Sequence, residues 1–264
     1  MKLQFFCPRW GSEHFTWEAF MNNVKAAGYD GIEYAITANT PDQVLDEVWE
    51  LAERYALKML PQHFDTSTPD FNAHYDQYGT WLERIRQYPS VKINSQTGRD
   101  IFSMEENNAL IKLAGDDVVH EMHRGKFSFA AHITKNYLLA NPDLRLTFDI
   151  SHWVAVAESY LEDQEETVQL AINRAAHIHA RVGFPEGPQI PDPRQEKWQQ
   201  AVQVHLAWWK QIAGKHSDQS TLTITPEFGP YPYMVFDYSQ WDINVYMMNM
   251  LKKVLAPTHS FFQQ

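Results

Sequence analysis

The sequence predicts one α/β domain over residues 1–264, a single (β/α)8 barrel, and three observations carry that expectation. A short apolar, β-prone run followed by an amphipathic stretch recurs along the chain with no break in composition. Neither GxGxxG nor GxxxxGK[ST] follows any of these runs, which argues against an open nucleotide-binding sheet. At 264 residues, with 44% hydrophobic and 21% charged side chains, the chain has the size and core content of one such barrel.

The first strand is expected near Leu3 to Phe6. The helix after it carries Trp17, Phe20, Met21, Val24 and Ala27 at helical spacing, behind a Thr16 cap and ahead of Gly28. Gly31 to Ala35 reads as strand two. Thr40 to Gln43 has the pattern of a capping box with Pro41 at the first helical position, ahead of a stripe of Val44, Val48, Leu51, Ala52 and Tyr55. Strand three is Lys58 to Phe64, and a helix over Asp76 to Gln87 leads to strand four at Val91 to Gln96. A helix over Met104 to Ala114 leads to strand five at Val118 to His123. Strand six lies in LRLTFDISHW, from Leu144, and strand seven is Ala176 to Val182, with a helix over Glu165 to Ala175 between them. A helix over Pro193 to Gly214, strand eight at Thr221 to Glu227 and a helix over Ser239 to Leu255 complete the series. The segment Gly183 to Pro193 is rich in Pro and Gly and follows strand seven, so it is expected to cover the barrel mouth.

Composition narrows the chemistry. A single cysteine, Cys7, excludes a disulfide framework and a thiolate cage, so any metal is held by His, Asp and Glu. A formal net charge of −11 opposes nucleic-acid binding. No run of 18 apolar residues and no signal-peptide core is present, which predicts a cytoplasmic protein with no membrane partner.

Barrel strands turn alternate residues inward and place reactive groups at their C-terminal ends. In strand eight Thr221, Thr223, Thr225 and Glu227 share the inner face. In strand seven His177, His179 and Arg181 do so, and in strand six Thr147 and Asp149. Glu121 shares a face with Val119 and His123, and alternation leaves open which way that face points. Taken singly, a strand-end carboxylate is more often a helix cap or an ion-pair partner than a ligand. Four converging groups, Glu121, Asp149, His179 and Glu227, change the balance. Three bare carboxylates would repel one another, and one divalent cation (Mn, Mg, Co or Zn) removes the conflict. His152, just beyond Asp149, then faces substrate. Arg124 and Arg181 either pair with the carboxylates or hold a substrate hydroxyl or phosphate. Trp10, Trp153 and Phe228 suit stacking on a sugar face, and Glu33 and His63 are further strand-end candidates. His177 reads as a core histidine under the site, and His205 as helix packing.

The motifs HEMHR (120–124), DISH (149–152), HIH (177–179) and PEFG (226–229) resemble, in order along nearly the whole chain, the xylose isomerase-like TIM-barrel superfamily of sugar isomerases and epimerases, inosose dehydratase and endonuclease IV. The ketose 3-epimerase branch implies a metal on Glu121, Asp149, His179 and Glu227, with Glu121 and Glu227 as the acid/base pair and His152 on substrate. In that branch an Arg lies six residues beyond the ligand His, whereas Arg181 lies two beyond His179. The resemblance implies a metal-dependent sugar (or sugar-derivative) isomerase or epimerase, working by proton transfer through a metal-stabilised cis-enediolate on a small-molecule sugar or cyclitol. Its rivals are an inosose dehydratase-like lyase, an endonuclease IV-like phosphodiesterase and a non-catalytic sugar-binding barrel. A homo-oligomer is compatible with the sequence.

Overall fold

A computed structural model describes residues 1–216, 219–234 and 238–256. Its strands are β1 (Lys2–Pro8), β2 (Gly31–Ala35), β3 (Lys58–His63), β4 (Ile93–Ser95), β5 (Val118–Glu121), β6 (Leu146–Phe148), β7 (Ala175–His179) and β8 (Thr221–Thr225). They form a closed parallel ring in chain order, with β1 hydrogen-bonded to β8. The helices are α1 (Trp17–Ala27), α2 (Asp42–Arg54), α3 (Phe71–Ile85), α4 (Met104–Ala114), α5 (Ala131–Ala140), α6 (Ser151–Ala157), α7 (Glu165–Arg174), α8 (Gln199–Lys215) and α9 (Gln240–Val254). The expected (β/α)8 barrel is the architecture found. Among the described residues no helix is long and apolar enough to cross a membrane.

Local signals explain the best-matched elements. Thr16 caps α1 by accepting from the Ala19 N–H, and Gly28 closes it at φ +85°. Ser103 and Glu106 form a reciprocal capping box at α4. The box expected at Thr40 is not formed. Thr40 Oγ1 lies 3.0 Å from Thr37 Oγ1 instead, α2 starts after Pro41 with no side-chain cap, and its buried stripe uses Leu45 in place of Val44. Helix α3 begins earlier than expected, capped by Asp70. Strands β4 to β8 end before the expected residues, so the reactive groups stand at strand ends or on the loops just past them. The sequence analysis placed no helix at α5 or α6. Neither has a side-chain N-cap or an acidic first turn, the signals that mark a helix in a sequence.

Outward strand residues such as Phe5, Cys7, Ile32, Phe148, Ile178 and Ile224 pack with the helices in the apolar core. The interior of the barrel is polar towards its mouth, with Gln62, Asn94, Thr147, His177 and Thr223 all buried. Phe6 and Leu60 are buried there too. A Cβ at Gly31 would stand 2.6 Å from the Phe6 ring and 2.3 Å from the Lys58 carbonyl oxygen, so only glycine fits under that ring.

The segment Gly183 to Pro193 departs from expectation. Gln189 exchanges hydrogen bonds with the Gly229 backbone, the Ile190 N–H donates to the Val182 carbonyl, and Ile190 is fully buried. None of the segment's residues lines the cavity at the barrel mouth. It is a strap, because its glycines and prolines shape turns that its own buried contacts then fix. A Cβ at Gly183 would stand 2.9 Å from Ser151 Cα, and the Gly183 N–H donates to His205 Nε2 at 3.2 Å.

Two buried histidines outside the cavity lining predict acid lability. Burial pushes His120 down to about 3, and burial, opposed by the Ala201 carbonyl, takes His205 to about 4. The stability each neutral ring contributes is fully present above its unfolded pKa near 6.5. It is lost as pH falls from there towards 3 to 4, at about 1.4 kcal/mol per pH unit per ring. A melting temperature lower by on the order of 10 °C at pH 5 than at pH 7 is expected. An unchanged value would mean that these rings titrate normally in the folded protein.

Candidate metal centre

Glu121 ends β5, Asp149 follows β6, His179 ends β7 and Glu227 lies two residues past β8. Barrel alternation turns all four inward, which settles the face of β5 that the sequence left open. One ligand atom from each lies within 4.8 Å of the others, and all four side chains are buried.

His179 is the centre of the arrangement. Its Nε2 lies 2.9 Å from Glu33 Oε1, while its Nδ1 lies 3.0 Å from Glu227 Oε2 and 3.7 Å from Glu121 Oε1. That Nδ1 is buried and makes no hydrogen bond, because the neighbouring carboxylates are not aligned with it. Burial pushes the imidazole pKa down, but Glu227, Glu33 and Glu121 outweigh it and hold it well above the usual histidine value. Burial likewise pushes Glu33 up, and the facing rings of His179 and His177 bring it well below the carboxylate range. Glu33 is thus a buried carboxylate that holds the His179 ring through Nε2, the kind of support that metal-bound histidines have.

Glu121 is held by amides. Its Oε2 accepts from Gln62 Nε2 at 3.1 Å and its Oε1 from Gln96 Nε2 at 3.4 Å. Burial raises its pKa to about 7, with His179 and Arg181 opposing and Glu227 and Asp149 adding to the rise. Asp149 Oδ1 accepts from the Ser151 hydroxyl and N–H, and its Oδ2 accepts from Arg181 Nη2 at 2.6 Å. Glu33, Glu121, Asp149 and Glu227 face only the Arg181 guanidinium and the His179 imidazole, an excess of negative charge that a dication would offset. An Nδ1 without a hydrogen bond among carboxylates, its Glu33 support and this charge balance fit a divalent cation on Glu121, Asp149, His179 and Glu227.

The other sequence candidates divide. Trp10 and Arg181 line a cavity of about 630 Å³ at the barrel mouth, together with Glu121 and Glu227. His152 lies in the first turn of α6, fully buried, its Nε2 accepting from Arg181 Nη2 at 2.6 Å and its Nδ1 without a partner. Glu33 is beneath the ligands rather than in the cavity. His63 points outward: its ring nitrogens meet Ser95 and Thr66 hydroxyls and it packs on Tyr78 and Trp81, since β3 alternation turns Leu60 and Gln62 inward instead. Arg124 is half-buried on the loop after β5 and outside the cavity lining. Trp153 and Phe228 are buried in the apolar core rather than placed for stacking on a sugar. Arg9, Tyr34, Gln62, Gln96, His123 and Tyr233 also line the cavity, and none of them is among the candidates that the sequence marks. For Gln62, the alternation that isolates it between Pro61 and His63 on β3 was the available signal.

Glu33→Gln keeps the size of the supporting side chain but removes its charge. Metal affinity is expected to fall by about tenfold or more, measured by competition with a chelating dye. Parent-like affinity would make Glu33 a bystander.

No family model and no curated protein matches the sequence. Among solved structures, the chain is similar to the "probable 3-DHS dehydratase" AsbF of Bacillus anthracis, with 15% identity, a TM-score of 0.56 and coverage of 96% of this chain and 99% of that one. It is also similar to an AP endonuclease, family 2, of Brucella melitensis, with 11% identity, a TM-score of 0.55 and coverage of 86% and 93%. Both likenesses extend over most of each chain and show a shared barrel fold.

Proposed function

We propose that this chain is a metal-dependent enzyme that moves a proton next to the carbonyl of a small sugar or sugar derivative, as an isomerase or epimerase. The observation that carries the reading is the buried cluster of Glu121, Asp149, His179 and Glu227, one ligand atom from each within 4.8 Å of the others, with His179 Nδ1 turned towards Glu227 and Glu121. A divalent cation held there (Mn, Mg, Co or Zn) supplies positive charge that polarises a carbonyl oxygen and favours its enediolate.

The chain's own groups do the rest. Glu121 and Glu227 line the cavity and reach it from β5 and from beyond β8, so each is available to a different side of a bound substrate. Transfer by one carboxylate on one side gives isomerisation, and transfer between the two gives epimerisation. Gln62 and Gln96 fix both oxygens of Glu121 and so aim it. Arg181 and Ser151 hold Asp149, and Arg181 also orients the His152 ring. Trp10, Tyr34 and Tyr233 offer apolar faces and hydroxyls to a sugar ring.

A second reading is a dehydratase-like lyase. His123 lines the cavity with its ring 4.1 Å from that of His152, and burial takes its pKa to about 3, so it is a neutral imidazole beside the same carboxylates. Its Nδ1 donates to the Arg124 carbonyl, so its bare Nε2 can take the proton next to the carbonyl, while a protonated Glu121 gives its proton to the departing β-hydroxyl, which leaves as water. The metal-loaded protein, incubated in heavy water with ketoses, aldoses and inososes, should place deuterium next to the carbonyl. Water loss with an enone absorbance would identify the lyase. Binding of sugar without exchange would identify a non-catalytic barrel, and about three metals per chain with cleavage of abasic DNA a phosphodiesterase.

A further inference from the structure

Arg9, just beyond β1, is 7% exposed and lines the cavity. Its guanidinium sits 4.3 Å from the centre of the Trp17 ring and 4.7 Å from that of Phe20, and its Nη2 donates to the Phe15 carbonyl at 2.8 Å. Its Nη1 is buried and has no hydrogen-bond partner, and among the described residues no carboxylate forms an ion pair with it. Glu13 is the closest acidic influence, but its side chain accepts from the Gly11 N–H at 3.0 Å. A buried guanidinium with an unsatisfied nitrogen, on a residue that lines a cavity, is costly unless an anion completes it. In a ring ordered β1 to β8, β1 stands opposite β5, so Arg9 lies across the cavity from Glu121. Tyr34, Thr37 and Thr40 line the same cavity from β2 and its loop, beside β1.

We propose that Arg9 is the recognition point for a carboxylate on the substrate, so that the substrate is an acidic sugar or cyclitol derivative rather than a neutral one. The inference deepens the reading above and rests on it for the reacting end of the molecule. Carboxylate and phosphate share the chemistry that Arg9 offers. The structure favours the carboxylate: the negative charge of Glu13 beside Arg9 opposes a dianion more strongly than a monoanion.

The test is calorimetric binding to the metal-loaded protein of three matched probes: D-glucuronate, D-glucose and D-glucose 6-phosphate. Glucuronate should bind at least about tenfold more tightly than glucose. Arg9→Met, which keeps the stem packed on Trp17, should abolish that preference while metal affinity stays at the parent value. Arg9→Lys, which keeps the charge without the fork, should retain part of it and serves if the methionine variant does not fold. Equal binding of glucuronate and glucose, no binding of glucuronate, tighter binding of the phosphate, or a preference surviving in both variants would each overturn the proposal. Metal titration and deuterium exchange on the same preparations separate the two readings. A protein that prefers glucuronate through Arg9 but exchanges no proton refutes the isomerase alone, and one that exchanges protons without the preference refutes only the role of Arg9.

Discussion

Glu121→Gln is expected to keep appreciable metal and to lose solvent deuterium exchange by a factor of about 10² or more. The amide oxygen can still face Gln62 Nε2, as Glu121 Oε2 does at 3.1 Å, and Gln96 can turn its own amide to meet the new NH2 group. What disappears is the capacity to accept a proton. Truncation to Ala would confuse ligand loss with base loss, so the isosteric change is the informative one. Glu227→Gln should act in the same way. A pH signature accompanies the loss. Burial sets Glu121 near 7, so in the parent a proton competes with the cation below that value, and metal affinity falls as pH drops through it. In Glu121→Gln that part of the dependence is absent. Near-normal exchange by either variant at full occupancy would make that glutamate a ligand only and move the base to His123 or His152. Glu33 and His177, bonded to each other beneath the ligands, are poorly placed for that role.

Asp149→Ala should lower metal content well below that of the parent, measured by elemental analysis of dialysed protein. It also strands Arg181, which is 3% exposed and has its shortest ion pair to Asp149 at 2.6 Å. Only the longer pair to Glu227, at 3.9 Å, would remain, and a fully unpaired buried guanidinium costs about 3–5 kcal/mol, so the melting temperature should fall by part of that cost. Adding Arg181→Met should recover much of the stability without recovering the metal. Parent-like metal content in Asp149→Ala would remove Asp149 from the ligand set.

Period-two alternation made the inward faces of β6, β7 and β8 readable, and with them Asp149, His179 and Glu227. These strands place an apolar residue on the other face at each step, as Phe148, Ile178 and Ile224 show. β5 was ambiguous because VVHE carries apolar and polar residues on both faces. The sheet alone orients it, with Glu121 opposite Thr147. His63 had the look of a strand-end ligand, but tertiary packing on α3 decides its direction. Arg9 and Tyr34 reach the cavity through loop and ring closure that no local pattern encodes. The strap after β7 misled because Pro and Gly report turns and not exposure. Its burial depends on Gly229, 40 residues downstream of Gln189.

The pairing of Lys2 to Phe5 with Thr221 to Ile224 also governs how the chain must come into being. During synthesis the first strand has no neighbour on one side until more than two hundred residues later, and until then the growing sheet carries two unpaired edges open to wrong partners. Glu227 follows that last strand, so Glu121, Asp149, His179 and Glu227 cannot come together on a partial product. On the proposed reading, a cation held by these four groups would bind the finished ring and no shorter intermediate, and so would stabilise the seam between the first and last strands.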